Sequence, residues 1–196
     1  SAVLAAFSLA AEGQVDIAVL ESCLQGFNEA MVIACRLPSS THRDVFASTL
    51  GNIAKGPASL KSAKAFEVLM KFSTVNGEFI TSTWSLIMRT VSDIERNRTV
   101  SEDGLEGFFA AAMTLTPKAL EHFVVGCISA SMVELLTPPN PRLFSFEKAL
   151  LALTSNLGRL DEVWSVIWPR VAAHFVASAC VRNAEVPLLA LEQLRR

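Results

Sequence analysis

Apolar residues recur three and four positions apart along almost the whole chain, which is the spacing of one face of an α-helix. The clearest stripe consists of Ile80, Trp84, Ile87, Met88, Val91 and Ile94. Two further stripes are Leu143, Phe146, Leu150, Leu153 and Leu157, and then Leu160, Trp164, Ile167, Trp168, Val171 and Phe175. No stretch alternates apolar and polar residues beside hairpin turn residues, so the pattern predicts an all-α protein.

Residues that start and stop helices divide the pattern into about nine or ten helices joined by short loops. Ser40 is a candidate cap for a helix that runs to Lys55. Asn76-Gly77 is a candidate left-handed helix end, after which Glu78 would begin the next helix. Thr116 followed by a proline predicts the start of another helix.

The second half of the chain carries further boundaries. The stretch TPPNP at 137–141 cannot continue a helix. Asn156 and Gly158 separate the next two predicted helices, and Asn183 is a candidate cap of the last one. Residues 97–104 form the longest predicted irregular stretch.

Helices of similar length, joined by short turns and striped on most faces, favour an α-solenoid of HEAT- or armadillo-like helical pairs. No strict repeat signature is readable, so a compact all-α bundle is the alternative. No linker divides residues 1–196, which predicts a single domain. Because the sequence opens at SAVLAAFSLAA and stops at LEQLRR inside helical patterns, we expect a fragment of a larger multidomain protein.

Composition limits the classes of partner. The chain is 51% hydrophobic and 18% charged, which is enough apolar material for a sizeable core. A net charge of -2 and a pI near 5.9 provide no long-range attraction to phosphate backbones, so nucleic acid is not an expected partner. The apolar runs are interrupted by polar residues and are shorter than the roughly 20 residues of a membrane span, so no transmembrane segment is expected.

The residues able to carry chemistry are scattered. The four cysteines, none in a CxxC pair, are expected to be buried free thiols: Cys23, Cys35, Cys127 and Cys180. The three histidines lack the spacing of metal ligands: His42, His122 and His174. No phosphate-binding glycine motif is present. The sequence therefore predicts no catalytic, metal-binding or cofactor-binding residue.

The stretch WSVIWPRVAAHF, from Trp164 to Phe175, concentrates the aromatic residues. Trp164 and Trp168 share one helix face and are expected to pack the penultimate helix against residues 142–153, so that Trp164→Ala would cost about 3–5 kcal/mol. The alternative is an exposed hot spot for a partner helix. Pro169 inside the helix would remove one hydrogen bond and bend it.

His174 has no acid, serine or cysteine beside it in the sequence and is expected to be a satisfied helix histidine. The core candidates are Trp84, Phe144, Trp164, Trp168 and Phe175. A single sequence identifies no partner-binding surface.

Six stretches, in chain order, resemble one protein family. They are CLQGFNEAMVIAC (23–35), NGEFITSTW (76–84), TVSDIE (90–95), PRLFSFEKALLAL (141–153), NLGRLDEVWSVIW (156–168) with the HF pair at 174–175, and ALEQLRR (190–196). Together they resemble the first HDS domain of the BIG/Sec-seven type large ARF guanine-nucleotide exchange factors, the block immediately downstream of the catalytic domain. Glu78, Asp161 and Pro169 depart from the family pattern, as in a divergent member.

A seventh stretch, CRLPSS at 35–40, resembles the family's FRLPGE loop, in which a glutamate dislodges the nucleotide. Here Ser40 stands in place of the glutamate and Cys35 in place of the phenylalanine. A serine cannot place a negative charge against bound phosphate and magnesium. We therefore expect a helix-to-helix loop with no catalytic role, and a chain that is not itself an enzyme.

The resemblance implies a regulatory domain that binds GTP-loaded ARF-type GTPase, the adjacent catalytic domain, or both. Such a domain would control exchange and membrane recruitment in Golgi vesicle traffic, in a cytoplasmic protein held at membranes through its partners. The ordered switch regions of the GTP form would be what its surface recognises. A purely structural scaffold or dimerisation segment is the alternative, and an enzyme in its own right is a third hypothesis.

Overall fold

The computed structural model describes residues 16–37, 40–97, 102–137, 141–159, 164–181 and 185–195. The helices in these ranges are α1 (Ile17–Cys35), α2 (Ser40–Lys55), α3 (Leu60–Asn76), α4 (Thr83–Asn97), α5 (Glu102–Met113), α6 (Pro117–Leu136), α7 (Phe144–Thr154), α8 (Ser165–Ala179) and α9 (Glu185–Arg195). Two short 3-10 turns are Gly77–Phe79 and Leu157–Arg159. These ranges contain no strand, so the all-α prediction is confirmed.

The helices pack in two layers. In one layer α2, α4, α6 and α8 are neighbours in that order, and in the other α1, α3, α5 and α7 are. The layers are joined mainly where α2 packs against α3 and α6 against α7, and α9 packs against α8. This alternation of helices between two layers is the arrangement of helical pairs in an α-solenoid, and the predicted helical-repeat fold is confirmed.

Hydrogen bonds between neighbouring helices of one layer show a structural repeat of about 40 residues. Lys64 donates to Glu21 across α1 and α3, 43 positions apart, and Arg89 donates to Ser129 across α4 and α6, 40 positions apart. This is close to the period of roughly 40–47 residues in HEAT and armadillo repeats. The equivalent contact is made by Lys and Glu in one place and by Arg and Ser in the other. Because different residue types occupy equivalent positions, no repeat signature is readable in the sequence.

The core runs between the two layers. All six residues of the stripe from Ile80 to Ile94 are buried in it. The Trp84 ring lies 5.1 Å from the Phe123 ring and 5.9 Å from the Phe108 ring, measured between centroids, and so joins α4 to α6 and α5. Edge-on aromatic packing of this kind adds to the free energy gained by burying apolar surface.

Glycines allow the helices of the α2–α4–α6–α8 layer to approach closely. A Cβ atom on Gly126 of α6 would lie 2.8 Å from the main-chain carbon of Trp84 in α4. A Cβ atom on Gly51 of α2 would lie 2.9 Å from Oγ1 of Thr90 in α4. Larger residues at these two positions would push the layer apart.

Two predicted helix boundaries are wrong. Gly77 has φ -52° and ψ -36°, so Asn76-Gly77 is not a left-handed helix end. The glycine is needed for space, because its Cβ would lie 2.9 Å from Cδ2 of Leu115. The stretch 97–104 is not wholly irregular, because α5 begins at Glu102.

Other predicted boundaries agree with the structure or fall outside it. α6 begins at Pro117, and the 3-10 turn that contains Gly158 separates α7 from α8. α2 ends at Lys55 as predicted, and Ser40, predicted as its cap, is its first residue; the side chain of Ser40 is not among those described. The proposed cap Asn183 lies outside the described residues.

Candidate interaction surface

The aromatic core candidates lie at different depths. Trp84 is only 1% exposed, whereas Phe144, Trp164, Trp168 and Phe175 are partly buried and pack against the core from its edge. The Trp164 and Trp168 rings stack on each other, 4.8 Å apart and nearly parallel. The Leu157 side chain, predicted to complete the stripe on α7, is exposed because the helix ends at Thr154.

Among the described side chains, the aromatic ring contacts between α8 and α7 are made by Phe146, while Trp164 and Trp168, expected to lock these helices together, pack against the core as partly buried side chains. Phe146 is fully buried, and its ring lies 4.6 Å from His174 and 4.8 Å from Phe175. The tryptophans stand near the start of α8 and are partly buried. Pro169 lies inside α8, as predicted.

His174 is buried, and its Nε2 lies 3.0 Å from the hydroxyl of Ser131 on α6. Burial lowers the pKa of His174 from 6.5 to about 4, so the ring is neutral at physiological pH. Because Ser131 is also fully buried, this serine–histidine pair has no access to a substrate. Its geometry is that of a core hydrogen bond.

Three of the four cysteines are buried as expected, and burial raises the pKa of the Cys127 thiol well above its usual value. Cys180 is exposed, which contradicts the prediction; it follows the last residue of α8, beyond the packed part of the helix. Among the described residues, no group of three or more His, Cys, Asp or Glu side chains could hold a metal ion.

The turn between α5 and α6 is held from both sides by its neighbours along the array. Glu78 accepts hydrogen bonds from the main-chain N–H and the hydroxyl of Thr116, at 2.8 and 2.7 Å. Asn156 donates to the carbonyl of Met113 at 3.1 Å, and Arg159 donates to the carbonyl of Leu115 at 2.8 Å. Turns of three successive repeats are therefore joined at one end of the array.

A buried carboxylate anchors the start of α7. Glu134 at the end of α6 is 3% exposed, and its Oε1 accepts hydrogen bonds from the hydroxyls of Ser92 and Ser145, both at 2.5 Å. Its Oε2 accepts from the main-chain N–H of Ser145 at 3.0 Å, in the first turn of α7. A negative charge at a helix N-terminus is stabilised by the helix dipole and by unpaired N–H groups. The carboxylate thus joins α4, α6 and α7.

A buried arginine performs the equivalent task earlier in the chain. Arg43 on α2 is 4% exposed and donates to the carbonyl of Phe79 at 2.8 Å and to the hydroxyls of Thr81 and Thr83 at 2.7 and 2.9 Å. The neighbouring Asp44 accepts hydrogen bonds from the same connector. The loop that leads into α4 is therefore fixed to α2 through its polar atoms.

An open groove of about 390 Å³ runs between α2 and α4 on the outer side of their layer. Its walls carry Asp44, Ser48, Asn52 and Lys55 from α2 and Ser82, Ser85, Leu86 and Arg89 from the α4 side. These residues form what we call the α2–α4 groove. Apart from Leu86 they are polar or charged side chains on two packed helices, so the groove can recognise a ligand, and none of these residues is poised for catalysis.

Sequence reasoning did not find the α2–α4 groove, because its two walls come from helices about 40 residues apart and no motif marks either wall.

The segment CRLPSS, which resembles the catalytic loop of the exchange factors, links α1 to α2. Cys35 is the last residue of α1, and Ser40 is the first residue of α2.

Two described helices, α1 and α6, are long and apolar enough to cross a membrane by length and composition alone. Ten residues of α6 are buried against other helices, including Phe123 and Cys127, and α1 buries seven, including Phe27 and Met31. Core helices meet the same criterion, so the predicted absence of a transmembrane segment stays a prediction.

No family model matches the chain. The chain is 21% identical to brefeldin A-inhibited guanine nucleotide-exchange protein 2 of Arabidopsis thaliana over 99% of its own length and 16% of that protein. The chain is 23% identical to brefeldin A-inhibited guanine nucleotide-exchange protein 1 of Homo sapiens, over 98% of its own length and 14% of that protein. It is 32% identical to protein 4 from Arabidopsis thaliana over 47% of its length. The resemblance noted in six stretches is thus confirmed along the chain, which spans about a sixth of the first of these relatives.

Proposed function

We propose that the chain, a divergent relative of the large ARF guanine-nucleotide exchange factors, is a non-catalytic regulatory module of such a factor. In this proposal residues 1–196 are a single domain that corresponds to the first HDS domain. It binds GTP-loaded ARF-type GTPase, the adjacent catalytic domain, or both, and controls exchange and recruitment in a cytoplasmic protein held at Golgi membranes through its partners.

The observation that carries this proposal is the similarity to these factors over 98–99% of the chain. The two-layer helical array supports it, because solenoids present extended surfaces to protein partners. The polar networks around Arg43 and Glu134 support it as well: they join helices and connectors, and so hold a scaffold rather than an active centre.

Discrimination between the two nucleotide states of a GTPase needs only a surface. The switch segments of a GTPase are ordered by the γ-phosphate and relax after hydrolysis. A rigid helical face that contacts the ordered switches has a differential affinity for the two states, and this difference is what makes recruitment depend on GTP. Relief of restraint on a neighbouring catalytic domain would follow from the same binding energy.

The test is binding of the purified chain to ARF-type GTPase loaded with a GTP analogue or with GDP, in solution and on liposomes. We expect binding to the GTP form alone. The companion measurement is nucleotide exchange by the full-length factor with and without this segment. The proposal is wrong if the chain ignores both nucleotide states and its deletion leaves exchange unchanged.

A scaffold or dimerisation segment is the second candidate, and exposed apolar side chains favour it. Val176 on α8 is 65% exposed, and Leu188 and Leu191 on α9 are 64% and 59% exposed. Light scattering over a range of concentrations distinguishes the two candidates. A monomer at all concentrations favours the regulatory module, whereas a concentration-dependent dimer abolished by Leu188→Glu favours the scaffold.

A further inference from the structure

The turn between α5 and α6 carries a threonine whose hydroxyl lies at a contact between repeats. Thr116 is exposed and directly precedes α6, yet its hydroxyl makes no capping hydrogen bond within that helix. It donates instead to Oε2 of Glu78 at 2.7 Å, and the Thr116 N–H donates to Oε1 of the same carboxylate at 2.8 Å. A chemical change at this one hydroxyl therefore acts on a contact between two repeats.

The residue after Thr116 is a proline, and this order is a recognition signal for one class of enzyme. The sequence contains two threonines followed by proline, Thr116 and Thr137, and no serine followed by proline. Proline-directed protein kinases select this order. Proline after the acceptor residue has no N–H, so no donor is left unpaired in the binding cleft of the kinase.

The structure distinguishes the two threonines. Thr137 is partly buried, and its hydroxyl donates to the carbonyl of Val133 in the preceding helix at 2.6 Å. Thr116 is exposed, and its φ of -58° and ψ of 156° are the extended conformation that a proline imposes on the residue before it. Protein kinases bind their acceptor residue in an extended main chain. Thr116 is therefore the better acceptor of the two.

A phosphate on Thr116 would reverse the contact with Glu78. Phosphothreonine has no hydroxyl proton to donate, and it adds a charge of about -1.5 to -2 at pH 7. The bond from the hydroxyl to Glu78 would be lost, and the phosphate and the carboxylate would repel each other. The link between the connector before α4 and the turn before α6 would open.

The opposite side of the same turn suits a phosphate. Arg159, from the connector after α7, donates to the carbonyl of Leu115, the residue before Thr116. Lys118 is exposed in the first turn of α6. The N-terminus of α6 adds the positive end of the helix dipole. A phosphate on Thr116 would thus be repelled by the preceding repeat and attracted by the following one.

We propose that Thr116 is the phosphorylation site of a proline-directed protein kinase, and that the phosphate transfers the turn from Glu78 to Arg159. In the reaction, Oγ1 of Thr116 forms a bond to the γ-phosphorus of ATP while the bond from that phosphorus to the β,γ-bridging oxygen breaks. ADP leaves, and the hydroxyl proton passes to the base of the kinase. The modification changes how successive repeats are held together. The site does not depend on GTPase binding, so either proposal can fail without the other.

The first measurement is phosphate transfer from ATP to the whole chain by a purified proline-directed kinase, with the modified residue located by mass spectrometry. We expect one phosphate per chain, on Thr116. Thr116→Ala should abolish incorporation, and Thr116→Ser should retain it. Two matched controls should leave the rate unchanged: Thr137→Ala at the other Thr-Pro pair, and Thr114→Ala at an exposed neighbour without a following proline. Glu78→Ala should raise the rate about fivefold, because it frees the acceptor hydroxyl.

Thermal unfolding of the modified chain tests the change of partner. We expect phosphorylation to lower the melting temperature of the wild-type chain by about 3–6 °C. In Glu78→Ala it should raise the melting temperature, because only the attraction of α6 and Arg159 remains. Arg159→Ala should deepen the fall. The proposal is overturned if the chain is not phosphorylated, if the phosphate is on another residue, or if the shift is the same with and without Glu78.

Discussion

Replacing Glu134 with alanine tests whether a single buried carboxylate joins three helices of the array. The variant removes the acceptor of three hydrogen bonds, from the hydroxyls of Ser92 and Ser145 and from the main-chain N–H of Ser145. All three donors are left in a buried environment, since Ser92 and Ser145 are 5% and 0% exposed. The loss therefore includes the cost of unsatisfied donors as well as the missing bonds.

The expected magnitude follows from these contacts. Hydrogen bonds to a charged group contribute about 1.5–3 kcal/mol each, but burying the carboxylate itself has a desolvation cost that offsets part of the sum. Breaking a buried charged network by removing one partner costs about 3–5 kcal/mol, and we expect Glu134→Ala in that range. For a chain of this length the melting temperature would fall by about 6–20 °C.

A second substitution separates charge from shape. In Glu134→Gln the amide oxygen can still accept from the Ser145 N–H, and the amide NH₂ can donate to the two hydroxyls, which can reorient. Three neutral bonds then replace three charged ones, and we expect a loss of about 1–2 kcal/mol. Glu106→Gln on an exposed face of α5 is the matched control and should change stability by less than about 0.5 kcal/mol.

The measurement is equilibrium unfolding in urea, with the slope of the free energy against denaturant checked to be unchanged. A loss below about 1 kcal/mol for Glu134→Ala would refute the reasoning, because it would mean that the serines and the α7 N-terminus find other partners. A Ser145→Ala variant, alone and combined with Glu134→Ala, measures the coupling directly, and we expect the two losses to be far from additive.

Three further predictions concern the core. Burial lowers the pKa of His174 from 6.5 in the unfolded chain to about 4 in the folded one. Its contribution to stability is therefore present above pH 6.5 and is lost between pH 6.5 and 4, by about 3 kcal/mol in total. Unfolding measured at several pH values should show a shallower dependence of stability on pH in His174→Leu. Trp164→Ala should cost about 1–2 kcal/mol, less than the 3–5 kcal/mol of Trp84→Ala, because the Trp164 ring is partly exposed; equal losses in urea unfolding would contradict this. Gly126→Ala should destabilise the protein by about 1–3 kcal/mol because the new Cβ collides with the α4 main chain. Gly107→Ala, with open space around the new Cβ, should stabilise it by about 0.5–1 kcal/mol. Melting temperatures that shift in the same direction in both variants would contradict this reasoning.

The helical fold follows from local rules that the sequence displays directly. Apolar spacing identified the stripe from Ile80 to Ile94, and Pro117 marked the start of α6. Gly77 was misread because glycine after asparagine suits a left-handed turn, while here the glycine makes room for Leu115. That requirement arises from a residue nearly 40 positions away, so no local rule contains it.

The depth to which an aromatic side chain is buried also depends on distant residues. A helical stripe states which face is apolar, but not whether a helix ends inside the array or at its edge. Trp84 lies in the middle of the array between α5 and α6, whereas Trp164 stands at the start of α8 and stacks on its own neighbour Trp168. Phe146 and Leu157 belong to the same predicted stripe, but Phe146 is buried and its ring contacts His174, whereas Leu157 is exposed.

The stretches through which the chain resembles the exchange factors coincide with contacts between repeats. NGEFITSTW contains Thr83, whose hydroxyl accepts a hydrogen bond from Arg43 on α2. Glu78 in the same stretch holds the turn before α6, although it departs from the family pattern. PRLFSFEKALLAL contains Ser145 at the buried carboxylate, and the HF pair contains His174, bonded to Ser131.

Residues about 40 positions apart must have complementary side chains to form such contacts. This requirement does not depend on which surface the array presents to a partner. The side chain of Asn52 in the α2–α4 groove lies outside the six stretches, and so does Arg89, which also donates a hydrogen bond to Ser129. At 21–23% identity to these relatives, the partner of this chain has to be determined from the chain's own surface.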